Sequence, residues 1–285
     1  MSDDKPDQSV LSGPSFFAGY SNLMLRLVSS LVLAPLAIAA AYVGGEVFLA
    51  FWALAALIVL WEWDTLVCAR DRNSVLTIGV VTLVGAALLL AFDWFGTAIT
   101  LVGLGLFGVA ALASRARRRW CVAGAAYAAA LLIAPVVLRD DPRFGFIAIL
   151  FVFVIVWLTD IAAYFAGRAL GGPKLMPSVS PNKTWSGAIG GTLAGTIGGV
   201  LVAGAPGNIA LIAVALILSV ASQGGDLLES AIKRRFSAKD ASQLIPGHGG
   251  LMDRLDGFIA AAVVAALIGL AHSGFAAPAR GLVVW

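Results

Sequence analysis

Towards the C-terminal end of this 285-residue chain, Asp226, Ser230 and Lys233 are spaced i, i+4 and i+7, which places them on one face of a helix. Arg234 and Arg235 follow, then a loop containing Lys239, Asp240, Pro246, Gly247, His248, Gly249 and Gly250. The next apolar stretch opens Asp253-Arg254-Leu255-Asp256-Gly257, with two carboxylates three residues apart on one helical face. Carboxylates gathered this closely repel unless a divalent cation sits among them, and oxygen-only ligands suit magnesium, with a second cation as an extension of the same logic. Asp226, Asp253 and Asp256 are the candidate ligands or their immediate supports, and Ser230 stands beside them. Lys233, Arg234, Lys239 and Arg254 carry more positive charge than such a cation's ligands require. The surplus calls for a polyanion, and a metal-bound polyphosphate meets both demands. Glycines flanking His248 let the backbone approach phosphate oxygens and offer N–H donors. A basic loop that merely touches anionic lipid would not interleave acids and bases at helical spacing.

His248 has no cysteine or second histidine nearby, so it suits phosphate contact or loop shaping better than zinc ligation or general-base work. A second polar segment lies upstream. Asp160 and Tyr164 share a helical face, Gly171-Gly172-Pro173 breaks the helix, and Ser180-Pro181-Asn182-Lys183-Thr184 immediately precedes another apolar stretch. Ser180, Lys183 and Thr184 at a helix N-terminus suit an anion such as phosphate. The same residue types also cap ordinary helices.

The elements that must position these residues are dictated by composition. Sixty per cent of the residues are hydrophobic, 12% are charged and mean hydropathy is +0.94. So few charges cannot cover a water-soluble globule of this size, which excludes soluble enzymes, disordered chains, disulfide scaffolds and nucleic-acid-binding domains, and with them a nucleic-acid partner. The expected fold is all-α, a polytopic integral membrane protein in contact with membrane lipid. Nine stretches are long enough to span a bilayer: 27–45, 47–66, 74–92, 94–113, 120–138, 144–167, 185–205, 208–228 and 257–274. Residues 1–22 read as a disordered cytoplasmic tail, 23–143 as transmembrane helices 1–5, and 144–285 as helices 6–9 with the cytoplasmic-face chemistry. About 26 residues precede the first stretch, so it reads as a retained span rather than a cleaved signal. With the N-terminus cytoplasmic and the C-terminus outside, sixteen of the nineteen basic residues fall on the inner side, and only Arg139, Arg143 and Arg280 fall outside. Arg115, Arg117, Arg118 and Arg119 are assigned to this topological signal. Gly187, Gly191, Gly195 and Gly199 form a stripe that allows close helix approach, either within one bundle or at a homodimer seam. Cys68 and Cys121 read as small apolar packing residues. Glu62 and Asp64 close the second stretch and are expected to be solvated, with a supporting role at the site as the alternative; His272 is expected to be interfacial.

The run from Ser230 through Lys233-Arg234, Lys239-Asp240 and Pro246-Gly-His-Gly-Gly-Leu-Met-Asp253-Arg-Leu-Asp256 resembles the signature of the phosphatidate cytidylyltransferase family without a mismatch over 27 residues. Ser180-Pro-Asn-Lys-Thr-Trp185 is similar to the family's second motif. Ser186 departs from it, because many relatives carry Glu or Gln there. The close resemblance covers about 160–257; the first five helices match in hydropathy and length alone. It implies a reaction of CTP with phosphatidic acid that gives CDP-diacylglycerol and pyrophosphate, with magnesium required, at the cytoplasmic face of a bacterial inner membrane. It also implies that Asp226, Asp253 and Asp256 serve the metal. Lys233, Arg234, Lys239, Arg254 and His248 would serve the phosphates. Ser180, Lys183, Thr184, Ser230, Gly249 and Gly250 would complete the substrate site, with Asp160 and Tyr164 at its edge.

Two other readings stay open. Asp253-Arg-Leu-Asp256-Gly257-Phe-Ile-Ala260 imitates the opening of the CDP-alcohol phosphatidyltransferase motif, but residue 261 is Ala and no further aspartate follows. A secondary transporter would need ionisable groups near mid-membrane and repeated halves, whereas the charges here cluster at one face.

Overall fold

In lipid a backbone must satisfy its own hydrogen bonds, so apolar stretches of this length become helices. The computed structural model describes residues 22–68, 72–205, 207–245 and 249–285, with the side chains of 22–31 left aside. The expected tail at 1–22 and His248 fall outside the described residues, Asn22 excepted. The helices are α1 (Asn22–Val43), α2 (Gly45–Val67), α3 (Arg72–Ala91), α4 (Phe95–Leu112), α5 (Arg118–Arg139), α6 (Gly145–Leu170), α7 (Trp185–Val202), α8 (Ile209–Arg235), α9 (Met252–Ser273) and the short α10 (Pro278–Val283). Eight of them, α2 to α9, are long and apolar enough to cross a membrane, and the part of α1 with described side chains adds a shorter apolar helix, Val32–Val43. The chain is therefore a helical, polytopic membrane protein.

Two small elements were not expected. Strands β1 (Lys174–Met176) and β2 (Ser180–Thr184) form an antiparallel hairpin between α6 and α7. Helix α10 folds back on the end of α9, where Gly269 and Gly281 lie so close to opposing backbone carbonyls that a Cβ on either would collide. His272 takes part in this fold-back: its Nδ1 bonds the Gly281 carbonyl at 2.9 Å and its ring stacks on Trp285 at 4.0 Å.

Helices from both halves of the chain share one core. Trp52 of α2 stacks on Phe258 of α9 with ring centroids 4.7 Å apart, and Phe153 of α6 lies against both. Between α6 and α7, packing depends on the glycine stripe. A Cβ on Gly187, Gly191 or Gly195 would stand 2.6–2.8 Å from the carbonyl oxygens of Ala163, Thr159 and Ile155. The stripe thus serves contact within the chain, and α6 already occupies the face that a second copy would need.

The connections sort into two ends. At one, Arg139 donates to the Ala41 carbonyl at 2.5 Å, Phe95 meets Phe275 and Asn208 donates to the Trp285 carbonyl. There burial, with Asp93 and Asp141 close by, pushes the Asp140 carboxyl above its ordinary value. At the other end lie the hairpin, the α8–α9 loop, the end of α2 and the start of α5. Arg117 donates to the Val67 carbonyl and its guanidinium lies over the Phe236 ring. This partition is the one the alternating charge pattern requires.

The cysteines and acids at the end of α2 differ from expectation. Cys68 and Cys121 are fully buried, as packing residues should be, but their sulfurs are joined in a disulfide across a Cα–Cα distance of 5.9 Å, tying α2 to the residue where α5 enters the bundle. Neither Glu62 nor Asp64 is solvated. Both are fully buried: the α8–α9 loop folds over the end of α2 and supplies Glu62 with polar partners, while Asp64 Oδ2 is buried without one.

Candidate active site

Helix α8 continues past its apolar stretch to Arg235, and α9 begins at Met252, before its own apolar stretch. These polar overhangs carry the candidate residues. The two helices touch closely: a Cβ on Gly225 would lie 2.5 Å from the Asp256 carbonyl oxygen, and one on Gly257 would lie 3.2 Å from that of Ser222. The absence of side chains at this crossing lets Asp226 on α8 and Asp256 on α9 face one space.

Five carboxylates converge there. Asp226 is ion-paired with Lys183 of β2, and Ser230 donates weakly to it at 3.4 Å. Asp256 lies within electrostatic reach of Asp226, Asp160 and Lys233, and its Oδ1 accepts from the Gly257 N–H at 2.7 Å. Asp160 on α6 feels the charges of Asp226, Lys183 and Arg254. Lys233 bridges Asp253 at 2.5 Å and Glu229 at 2.6 Å. The second oxygen of Asp253 accepts from the backbone N–H groups of Ala241 at 2.9 Å and Gly250 at 2.7 Å. Both oxygens of Asp253 are thereby engaged, the second by the backbone of the α8–α9 loop.

The loop between α8 and α9 is held tightly. Ile245 and Gly249 exchange two backbone hydrogen bonds. Gly249 has φ +85°, where a side chain would be strained and would also press on Asp253. Arg234 turns to the Ala238 carbonyl at 3.2 Å, while Lys239 is exposed. On the opposite wall Thr184 caps α7 by accepting from the Gly187 N–H at 3.1 Å. Ser186 donates to the Gly171 carbonyl and contacts Thr184 at 3.0 Å, so the residue that departs from the family motif closes the hairpin instead.

The structure therefore gathers Asp226, Asp253, Asp256, Ser230, Lys233, Lys183 and Asp160, with Arg254 beside Asp160 and Gly249 and Gly250 at the edge. Ser180 lies at the start of β2, paired with Met176. Tyr164 is exposed and accepts a long bond from Arg168 at 3.4 Å, one turn beyond Asp160. Both stand at the margin of the carboxylate cluster rather than within it.

Three further participants stand here, of which the sequence singled out Glu62 alone, as a supporting alternative. Glu229 is 1% exposed and holds Lys233 from below. Tyr127 of α5 packs against Trp63 with its hydroxyl buried and unpartnered, within electrostatic reach of Asp256, Glu229, Asp226 and Asp253. Glu62 of α2 accepts from the Ser242 hydroxyl at 2.6 Å and from the backbone N–H groups of Leu251 at 2.8 Å and Met252 at 2.7 Å. Glu229 was visible as the remaining acid of its helical run; the other two come from helices whose sequence carries no local sign of the contact.

Every side-chain group poised here to meet a cation is an oxygen donor, a hard set suited to magnesium and unsuited to zinc or iron–sulfur chemistry. Among the described residues no three acidic, histidine or cysteine side chains yet stand at ligand spacing; the ammonium groups of Lys183 and Lys233 supply the positive charge instead. The hydroxyls of Tyr127 and Ser222 and the Oε1 of Glu229 are buried without partners, Tyr127 within electrostatic reach of the carboxylates and Ser222 against Gly257 at the crossing. Buried polar atoms left this way point to a missing water or ion.

The polytopic membrane bundle thus carries at one end an oxygen-rich, lysine-lined cluster whose chemistry suits phosphorylated substrates. The comparisons make it narrower. Residues 24–271 match the model of the cytidylyltransferase family. The phosphatidate cytidylyltransferase of Brucella suis biovar 1 is 44% identical over 255 residues, covering 87% of this chain and 94% of the relative. That of Pseudomonas aeruginosa is 35% identical over 285 residues, covering 90% and 100%. That of Bacillus subtilis is 44% identical over 126 residues, covering 43% of this chain and 47% of its own. The chain belongs to the cytidylyltransferase family, as a nucleotidyltransferase of the phosphatidate cytidylyltransferase kind.

Proposed function

We propose that the chain transfers the CMP moiety of CTP to phosphatidic acid, giving CDP-diacylglycerol and pyrophosphate, at the cytoplasmic face of a bacterial inner membrane. A phosphate oxygen of the lipid attacks the α-phosphorus of CTP, and the bond to the β-phosphate breaks as pyrophosphate leaves. The attacking oxygen is already ionised near neutral pH, so no serine, cysteine or general base need be activated. What the site must do is hold two mutually repelling anions in line and stabilise the charge on the leaving group.

The carboxylates that would hold magnesium are Asp226 and Asp256, with Asp160 alongside and Asp253 as their support through Lys233. Bound there with the triphosphate, the ion supplies charge neutralisation at the phosphoryl oxygens. Lys183 is placed to exchange Asp226 for a phosphate oxygen, and Lys239, Arg234 and Arg254 extend the positive surface towards the nucleotide or lipid phosphate. Thr184 and Ser180 flank Lys183, and Gly249 and Gly250 bring loop backbone to the same edge. His248, in the same loop, is assigned to phosphate contact.

The reading is carried by one observation: Asp226 of α8 and Asp253 and Asp256 of α9 meet at a glycine-lined crossing, with Lys183 and Lys233 paired to them. Purified protein given labelled CTP and phosphatidate should form labelled CDP-lipid with magnesium and none without it. Consumption of CDP-lipid by an added alcohol would instead favour a phosphatidyltransferase, and the absence of any product would remove the enzyme reading.

A further inference from the structure

We infer that Glu62 is a positioning residue: from α2 it caps α9 and holds Ser242 and Leu251 of the preceding loop, so that the carboxylates and arginine at the start of α9 stand in register with those on α8. Its activity readout rests on the reaction proposed above.

A helix begins with four N–H groups that have no partner inside it, and the N-cap of α9 is Leu251, whose side chain accepts nothing. Glu62 supplies what Leu251 lacks. One carboxylate oxygen takes the Leu251 N–H at 2.8 Å and the Ser242 hydroxyl at 2.6 Å; the other takes the Met252 N–H at 2.7 Å. A negative charge at a helix N-terminus is favoured by the dipole, and bonds to an ionised acceptor are the strong ones. Glu62 is 0% exposed, so water does not compete for these donors. The loop lies directly on the carboxylate. A Cβ on Gly250 would stand 2.7 Å from Glu62 Oε1, which gives that glycine a steric reason besides any approach to phosphate.

Two acids thus bracket the loop. Asp253 holds Ala241 and Gly250 from within, and Glu62 holds Ser242, Leu251 and Met252 from a helix nearly two hundred residues away in sequence. Helix α2 does not need Glu62 to stay in the bundle, because Trp52 is stacked in the aromatic core and Trp63 donates to the Trp120 carbonyl and packs on Tyr127. Removing the carboxylate should therefore release the loop and leave the helices standing.

The test compares full-length Glu62→Gln and Ser242→Ala with wild type in lipid discs, reading kcat, KM for both substrates, and hydrogen exchange along the chain. Glutamine keeps the shape but offers one acceptor oxygen in place of two, turning an N–H towards a donor. A displaced loop of this kind is expected to lower kcat of Glu62→Gln by about a hundredfold, while KM for phosphatidate changes by less than about threefold. Ser242→Ala should lose less in the same direction. Exchange at Leu251 and Met252 should quicken while α2 and α5 stay protected. A kcat within about twofold of wild type in Glu62→Gln, or faster exchange spread through α2 and α5, would overturn the inference. Wild type that makes no CDP-lipid would defeat the proposed reaction alone, since the exchange pattern still decides the clamp.

Discussion

Lys233 is the residue on which the local electrostatics turn. It lies between Glu229 and Asp253, mostly buried, and each carboxylate depends on it. Lys233→Ala would leave two buried acids facing each other, which should cost about 3 kcal/mol or more and abolish turnover; thermal unfolding and the labelled-CTP assay check both. Asp253→Asn places an amide N–H where Lys233 or a loop N–H now donates. That protein should remain in the membrane at normal level yet fail to convert phosphatidate. At this scale sequence and structure agree best. Asp226, Ser230, Lys233, Asp253 and Asp256 share chemistry and helical spacing over a short stretch, and Lys183 sits in a motif of its own. What escaped were contacts with no local sign. Glu62 meets Leu251 and Met252 through a helix whose end is acidic and tryptophan-rich, like any interfacial turn. The Cys68–Cys121 pair joins two apolar stretches that give no hint of being neighbours.

Among the elements, the crossing of α8 and α9 matters most. Gly225 allows the Asp256 backbone to approach, so Gly225→Val must push the helices apart. Overpacking of this kind costs about 1–3 kcal/mol and should separate Asp226 from Asp256, so activity should fall further than stability does. Assay and denaturation run on the same preparation separate the two. Element positions were largely legible because twenty apolar residues in lipid have one outcome: the expected 120–138 became Arg118–Arg139 and 74–92 became Arg72–Ala91. The β1–β2 hairpin was missed because its strands are only three and five residues long, Lys-Leu-Met and the polar Ser-Pro-Asn-Lys-Thr, too short for an alternating pattern to betray them. Helix α10 was missed because six residues after a glycine carry too little periodicity. Neither unexpected strand is idle, since β2 delivers Lys183 to Asp226.

For the whole molecule, the proposed reaction places the hairpin, the α8–α9 loop and the end of α2 on the cytoplasmic side, and the Asp140–Asp141 turn outside. Cysteines introduced at Lys239 and at Asp141 should label from opposite sides of sealed vesicles, Lys239→Cys from the cytoplasmic side. Labelling of both from one side would contradict the alternation. Arg118, read as a topological charge, should tolerate alanine with little change in turnover once orientation is preserved; a large loss in correctly oriented protein would move it into the site. The division of labour follows from the proposed substrates. A water-soluble nucleotide and a lipid that stays in the bilayer can meet only at the boundary, and both polar overhangs, on α8 and α9, extend past the apolar stretches at one end of the bundle. The central claim is that their acids serve a magnesium–nucleotide complex. Phosphatidate-dependent turnover of CTP, followed as magnesium is titrated in wild type, Asp226→Asn and Asp256→Asn, tests it most directly. Wild type should require magnesium, and each variant should fall by about a hundredfold or more or need far more magnesium; near-wild-type turnover with unchanged magnesium dependence in both would contradict it.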